Sequence, residues 1–243
     1  MQSWSVGILC YNEAETIGPI VMQTREVLQK MTDTYEIFII DDCSSDGSRE
    51  IALGLQEQYP EVKVIRHEVN KGIGMAIRSA YGAFQNENVT VYAGDGQFDV
   101  TEFLPFPEIP EGRFLSFYRV ENTTYSLFRN ILSYFNKKLN KVFIGINLKD
   151  VNWAKAYKKA DLDMLNLELT SSLIESEVCA KLIYLGRKVI EVESKYLPRV
   201  YGESKGGSFA TVKQAIRDIW KLIHIMRKFR ADRKKITGKN SNK

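Results

Sequence analysis

The sequence predicts an α/β protein: a mixed, mainly parallel sheet flanked by helices, with an amphipathic helix towards the C-terminus. Three observations carry that prediction. Short β-branched apolar runs alternate with helical segments through the first half, each run ends in polar residues, and apolar residues recur at helical spacing near the end. With 243 residues, 44% hydrophobic and 26% charged, the chain can bury a core without disulfides or metals.

The strands are expected at residues 5–9, 36–40, 62–65 and 89–93, short and apolar as buried parallel strands are. Helical segments at 16–31, 48–59 and 72–84 alternate with them. That order predicts a doubly wound sheet with its ligand site beyond the C-terminal strand ends. Pro105, Pro107 and Pro110 mark a loop. After it come a strand at 114–118, helices at 123–142, 161–167 and 175–185, and a strand at 188–192. The organisation expected is one domain over 1–207, an amphipathic basic helix over 208–236 and a disordered tail over 237–243.

The net charge of +4 is unevenly spread: Arg227 to Lys243 holds eight basic residues against one acid, Asp232. The rest of the chain is therefore net acidic, and the partner of the basicity is to be sought at the C-terminus. Cys10, Cys43 and Cys179 are scattered without metal-ligand spacing, which suits buried thiols in a reducing compartment. The first strand follows Met1-Gln2-Ser3 with no secretory leader, and no apolar run reaches the length of about 18 residues that a membrane span needs. A cytoplasmic location follows as the expectation.

Polar clusters stand at four consecutive strand ends: Tyr11-Asn12-Glu13, then Asp41 to Ser48, then Asn70 to Ala76, then Gly94 to Asp99. Each has a local reading; Asp46 or Ser48 can cap a helix, and Gly72 and Gly74 can serve tight packing. Their joint placement points to one crevice. His67 and His224 bring no nucleophile or metal pattern, and His67 reads as structural.

Taken in order, these clusters resemble glycosyltransferase family 2, the nucleotide-sugar transferases of the GT-A fold. The matching elements are Tyr11-Asn12-Glu13, the Asp41-Asp42-x-Ser44-x-Asp46 run, Asn70-x-Gly72-x-Gly74-x-Ala76, and Asp95-Gly96-Gln97 at the end of a metal motif. Within that family the chain looks most like the polyprenyl-phosphate (dolichyl-phosphate) sugar synthases. Asp150 to Tyr157, Glu177, and the loop with Arg199, Gly202, Ser204 and Lys205 carry that likeness. One departure stands out: Ala93 occupies the place of the first Asp of the metal motif.

The resemblance implies an inverting transfer from a UDP- or GDP-linked sugar to polyprenyl phosphate, assisted by Mg²⁺ or Mn²⁺. It assigns Asp95 and Gln97 to the metal, whose preference for oxygen ligands an Asp and an amide carbonyl satisfy. It assigns Tyr11, Asn12, Glu13, Asp42, Ser44, Asp46, Asn70, Lys71, Gly72, Ala76, Gly94 and Asp95 to the nucleotide-sugar. Arg119, Arg129, Arg199, Ser204 and Lys205 are the candidates for the acceptor phosphate, and Asp95, Asp150, Arg199 and Lys205 for catalysis. An ionised lipid phosphate needs no base, whereas a glycan or other hydroxyl acceptor does, and Asp150 is then the candidate. A nucleotide-sugar binding protein without turnover is the reading that Ala93 prompts. A nucleotidyltransferase would carry a Gly-rich basic loop early in the chain, which is missing.

Residues 209–235 read as one helix, with Phe209, Val212, Ile216, Ile219, Trp220, Ile223, Met226 and Phe229 on one side and basic residues on the others. Such a helix can lie in a membrane interface, form a core, or pair in a homo-oligomer. A nucleic-acid partner is not expected, because aromatic residues are not interleaved with the tail's charges.

Overall fold

The computed structural model describes residues 2–120, 147–199 and 209–240, and in the last segment side chains are described for 217–232. The helix expected at 123–142 lies outside the described residues, as do Arg129, Gly202, Ser204 and Lys205. The elements are β1 (Trp4–Cys10), α1 (Ala14–Met31), β2 (Tyr35–Asp41), α2 (Ser48–Gln58), β3 (Val62–Arg66), α3 (Ile73–Ala83) and β4 (Asn88–Ala93). A short 3-10 turn (Val100–Phe103) follows, then β5 (Arg113–Arg119), β6 (Lys155–Lys158), α4 (Lys159–Asp163), α5 (Ile174–Tyr184), β7 (Lys188–Ser194) and α6 (Phe209–Asn240).

The seven strands form one sheet in the order β3-β2-β1-β4-β6-β5-β7. β1 pairs in parallel with β2 and with β4, and β2 with β3. β6 runs antiparallel to both β4 and β5, and β5 pairs in parallel with β7. The sheet is thus mixed and mainly parallel, as expected. Strand residues alternate between two cores. Val6, Ile8, Ile37 and Ile39 face α1 and the aromatic group around Phe103, while Phe38 and Ile40 face α3, α5 and α6. α3 approaches β1 most closely at Gly7, where a Cβ would stand 3.0 Å from that of Ala80.

Two elements differ from expectation. β6 was not anticipated: its four residues include Lys155 and Lys158, yet all four are buried. Lys155 Nζ donates there to the Val151 and Trp153 carbonyls at 2.6 and 2.8 Å. The helix expected over 161–167 stops at Asp163, and an irregular segment runs on to α5. Glu177, fully buried on α5, accepts from the Glu168 and Leu169 amides at 2.9 and 2.8 Å and from Lys181 Nζ at 2.6 Å. Arg78 adds a bond to the Leu167 carbonyl at 2.6 Å. These bonds supply the partners that helical continuation would have supplied.

The described part of α6 is amphipathic, and its apolar face is the one read in the sequence except that Leu222 and Ile225 join it and Trp220 leaves it. Ile219, Leu222, Ile223, Ile225 and Met226 are buried in the core, whereas Trp220 is 66% exposed. The helix reaches Asn240, into the stretch expected to be disordered.

Removing one partner of a buried ion pair leaves the other charge stranded, so Glu177→Ala should cost about 3–5 kcal/mol of stability. Urea unfolding at neutral pH measures it; a loss below 1 kcal/mol would contradict the role given to this pair.

Candidate active site

The register of the parallel strands brings Cys10, Asp41 and the residues after Ala93 to one level, since Cys10 lies opposite Asp41 and Leu9 opposite Ala93. The loops after these strands are stitched together by short bonds. Asn12, with φ +57, takes a conformation that asparagine tolerates better than most residues. Its amide donates to Ser44 Oγ at 3.0 Å, and its side-chain oxygen accepts from the Ser45 amide at 2.9 Å. Ser48 Oγ accepts from the Glu13 amide at 2.8 Å, and Asp46 accepts from the Ala14 and Ser48 amides, both at 3.0 Å. Asp46 thereby serves the starts of α1 and α2 together. Burial pushes its carboxyl up, but bonds from Ser48 and the Ala14 amide outweigh this and leave it below its ordinary value.

Asp42 is buried beneath the loop that leads into α3. It accepts from the Lys71 and Gly72 amides, both at 2.8 Å, and lies 2.7 Å from His67 Nδ1. The other ring nitrogen of His67 is 2.8 Å from Ser79 Oγ on α3. His67 thus joins Asp42 to α3, through two partners that the sequence did not reveal. Gly72, with φ +81, turns the chain into α3, and Asn70 accepts from its amide at 3.1 Å. Ala76 is buried in the core.

At the end of β4, Asp95 accepts from the Gln97 amide at 3.1 Å. The Phe98–Tyr196 bridge and the bond from the Leu197 amide to the Gln97 carbonyl, 3.1 Å, register the chain after β7 against this turn. Gln97 Nε2 donates to Tyr196 Oη at 2.5 Å. Arg199 consequently lands on the carboxylates: one guanidinium nitrogen is 2.7 Å from Glu13 Oε1 and 3.4 Å from Asp95 Oδ2. Burial raises the Glu13 carboxyl above its ordinary value; Arg199 opposes that rise and Asp95 adds to it.

A cleft of about 620 Å³ opens here. Leu9, Ala93 and Asp95 form its floor, Lys71, Gly72 and Gly74 one wall, and Asn152, Trp153 and Thr170 to Leu173 the other. Glu175 and, from α6, Asp218 complete it. Gly74 permits the closeness of the walls, because a Cβ there would meet the Ser171 and Thr170 carbonyl oxygens at 2.3 and 2.4 Å.

Of the residues singled out in the sequence, Lys71, Gly72 and Asp95 line the cleft, and Glu13 and Arg199 meet Asp95 at its edge. Ser44 and Asp46 hold the neighbouring loops. Asp150 is ion-paired with Arg119 at 2.7 Å, and that guanidinium stacks on Trp153, 4.6 Å from the ring centre. Glu177 faces away from the cleft. Glu175 faces into it and accepts hydrogen bonds from Tyr81 and Tyr157, the latter at 2.6 Å. Sequence matching missed Glu175, Trp153, Asp218 and the 170–172 segment. The signal available for Glu175 was its place in the first turn of a helix after Thr170-Ser171-Ser172.

Among the described residues no group of three or more His, Cys, Asp or Glu is arranged to hold a metal. Asp95 nevertheless stands 3.4 Å from a cationic group, the Arg199 guanidinium, with the Gln97 side chain two residues further on. One or two carboxylates completed by substrate oxygens and water suit Mg²⁺ or Mn²⁺. The donor set therefore fits such an ion bound together with a diphosphate.

The fold and the strand-end cleft define a GT-A architecture. The sequence model described as Glycosyl transferase family 2 matches residues 5–106. Over most of its length the chain is similar to polyprenyl-phosphate sugar transferases. The undecaprenyl-phosphate 4-deoxy-4-formamido-L-arabinose transferase of Photorhabdus laumondii is 28% identical over 206 residues, covering 83% of this chain and 62% of that protein. The dolichol-phosphate mannosyltransferase of Pyrococcus furiosus is 28% identical over 231 residues, covering 90% of this chain and 63% of that one. The chain thus spans less than two thirds of the length of these relatives. Among solved structures, glucosyl-3-phosphoglycerate synthase of Mycobacterium tuberculosis, in complex with Mg²⁺ and UDP, superposes with a TM-score of 0.68 at 14% identity. That match covers 92% of this chain and 80% of the other, and shows the shared fold.

Two measurements check this geometry. Gly74→Ala should lower stability by about 1–3 kcal/mol, as overpacking does, read from chemical unfolding. Cys10 and Cys179 have thiols pushed up to about 11 by burial, so the reactive thiolate is scarce at about pH 8. Alkylation of the native protein should then label Cys43, which is only half-buried, and comparable labelling of Cys10 would contradict the packing described.

Proposed function

We propose that the chain is an inverting glycosyltransferase that moves a sugar from a UDP- or GDP-linked donor to polyprenyl phosphate at the cytoplasmic surface of a membrane. The observation that carries the reading is the meeting of Glu13, Asp95 and Arg199 at a cleft beyond parallel strand ends. The names of the similar proteins supply the acceptor class.

In this reading Tyr11, Asn12 and Glu13 hold base and ribose. Asp42, Ser44, Asp46 and Asn70 shape the loops that receive the nucleotide, with Lys71, Gly72 and Gly94 lining its path. Asp95 and Gln97 would hold Mg²⁺ or Mn²⁺, which would neutralise the charge that develops on the leaving diphosphate. Arg199 leaves the carboxylates to bind phosphate in its planar fork. Arg119, Arg129, Ser204 and Lys205 position the acceptor. A lipid phosphate is already mostly ionised at neutral pH, so it attacks the anomeric carbon without a base while the C–O bond to the diphosphate breaks. A hydroxyl acceptor would need a base, and Asp150 is already ion-paired with Arg119, which favours the phosphate. Ala93 favours a second reading, a binding protein that has lost turnover.

Incubation with Mg²⁺ or Mn²⁺, a panel of UDP- and GDP-sugars and a short polyprenyl phosphate tests the proposal. Lipid-linked sugar should form, and Asp95→Ala should reduce it at least about a hundredfold. Donor binding with no transfer, restored by Ala93→Asp, would replace the proposal with the second reading.

A further inference from the structure

At 100° per residue, the described part of α6 divides into two unlike faces. Ile219, Leu222, Ile223 and Met226 are buried on one side. On the other side Arg217, Lys221, His224, Arg227 and Lys228 are exposed, and they surround Trp220, the most exposed large apolar side chain described, at 66%. Three acids are nearby: Asp218 lines the cleft, Asp232 lies one turn beyond Lys228 on the same side, and Glu168 of the adjoining loop pairs with Lys228 Nζ at 4.0 Å, so the patch keeps a net positive charge.

The apolar face of α6 is therefore committed to the core, which leaves the cationic face for an external partner. We propose that this face docks on an anionic lipid surface, with the Trp220 indole in the headgroup layer and Arg217, Lys221, Arg227 and Lys228 on lipid phosphates. An indole ringed by cations suits that boundary, where its apolar body and its N–H are both accommodated. A symmetric pair of helices would instead bring like charges together. Because Asp218 lines the cleft while Trp220 lies half a turn away on the outside, α6 would stand between the cleft and the docked surface. The docking rests on the chemistry of this face and not on the identity of the acceptor.

The test is co-sedimentation of the full chain with vesicles of phosphatidylcholine alone or with added phosphatidylglycerol. Binding should require the anionic lipid and weaken as salt rises. Each of Arg217→Gln, Lys221→Gln and Arg227→Gln should reduce partitioning about fivefold. Vesicles should shift the tryptophan emission to the blue, and Trp220→Ser should abolish the shift while circular dichroism and the melting temperature stay unchanged. Equal binding to neutral vesicles, variants that bind like the unaltered chain, or a polynucleotide competing the protein off the vesicles would each overturn the proposal. Transfer to a short polyprenyl phosphate in detergent is measured beside it. Vesicle binding without transfer refutes the proposed reaction and leaves the docking intact, whereas transfer without vesicle binding does the reverse.

Discussion

The parallel pairing of β1 with β2 on one side and with β4 on the other governs where every group at the site stands. Strand order reverses across β1, so the crossovers to α1 and α3 leave on opposite faces and a crevice opens between them. The pairing also fixes height: Cys10, Asp41 and Ala93 end at one level, and the residues that follow them are polar. Had β1 slipped by one residue, the side chains meeting the two cores would have changed places and Glu13 would no longer meet Asp95.

The opposite wall is built differently. It is an irregular segment, and its position is imposed by side chains of other elements. Glu177 and Lys181 of α5 tie down residues 166–169, Arg78 of α3 holds the Leu167 carbonyl, and Gly74 lets residues 170–171 sit against the start of α3. A regular sheet thus faces a wall whose form depends on a few buried polar bonds. Such bonds specify one conformation because leaving any of them unmade is costly.

This contrast explains what was legible in the sequence. The first four strands and their helices were, since apolar runs and helical spacing report buried faces directly. β6 was not, because two of its four residues are lysines whose charges are satisfied by backbone and side-chain partners. Position alone did not separate Glu175 from Glu177: two residues apart on a helix they point about 200° apart, one to the cleft and the other to the core. Trp220 shows the same limit, since Leu222 and Ile225 take the buried positions that a broad apolar stripe had seemed to offer it. The strand-end clusters were legible as a group, while the division between residues that line the cleft and residues that hold its loops came from hydrogen bonds across the chain.

Asp46 and Asp42 have a consequence for how the diphosphate of the proposed donor would be recognised. Asp46 sits at the starts of α1 and α2, and Asp42 holds the amides that lead into α3. Helix N-termini are ordinarily ready-made anion sites, through their unpaired amides and the positive end of the helix dipole. In this chain carboxylates take the first amide of α1, the first amide of α2 and the two amides that precede α3. If the proposed diphosphate binds there, part of its positive field falls to side-chain cations such as Lys71 and Arg199, so that part is written in replaceable residues and not in the backbone.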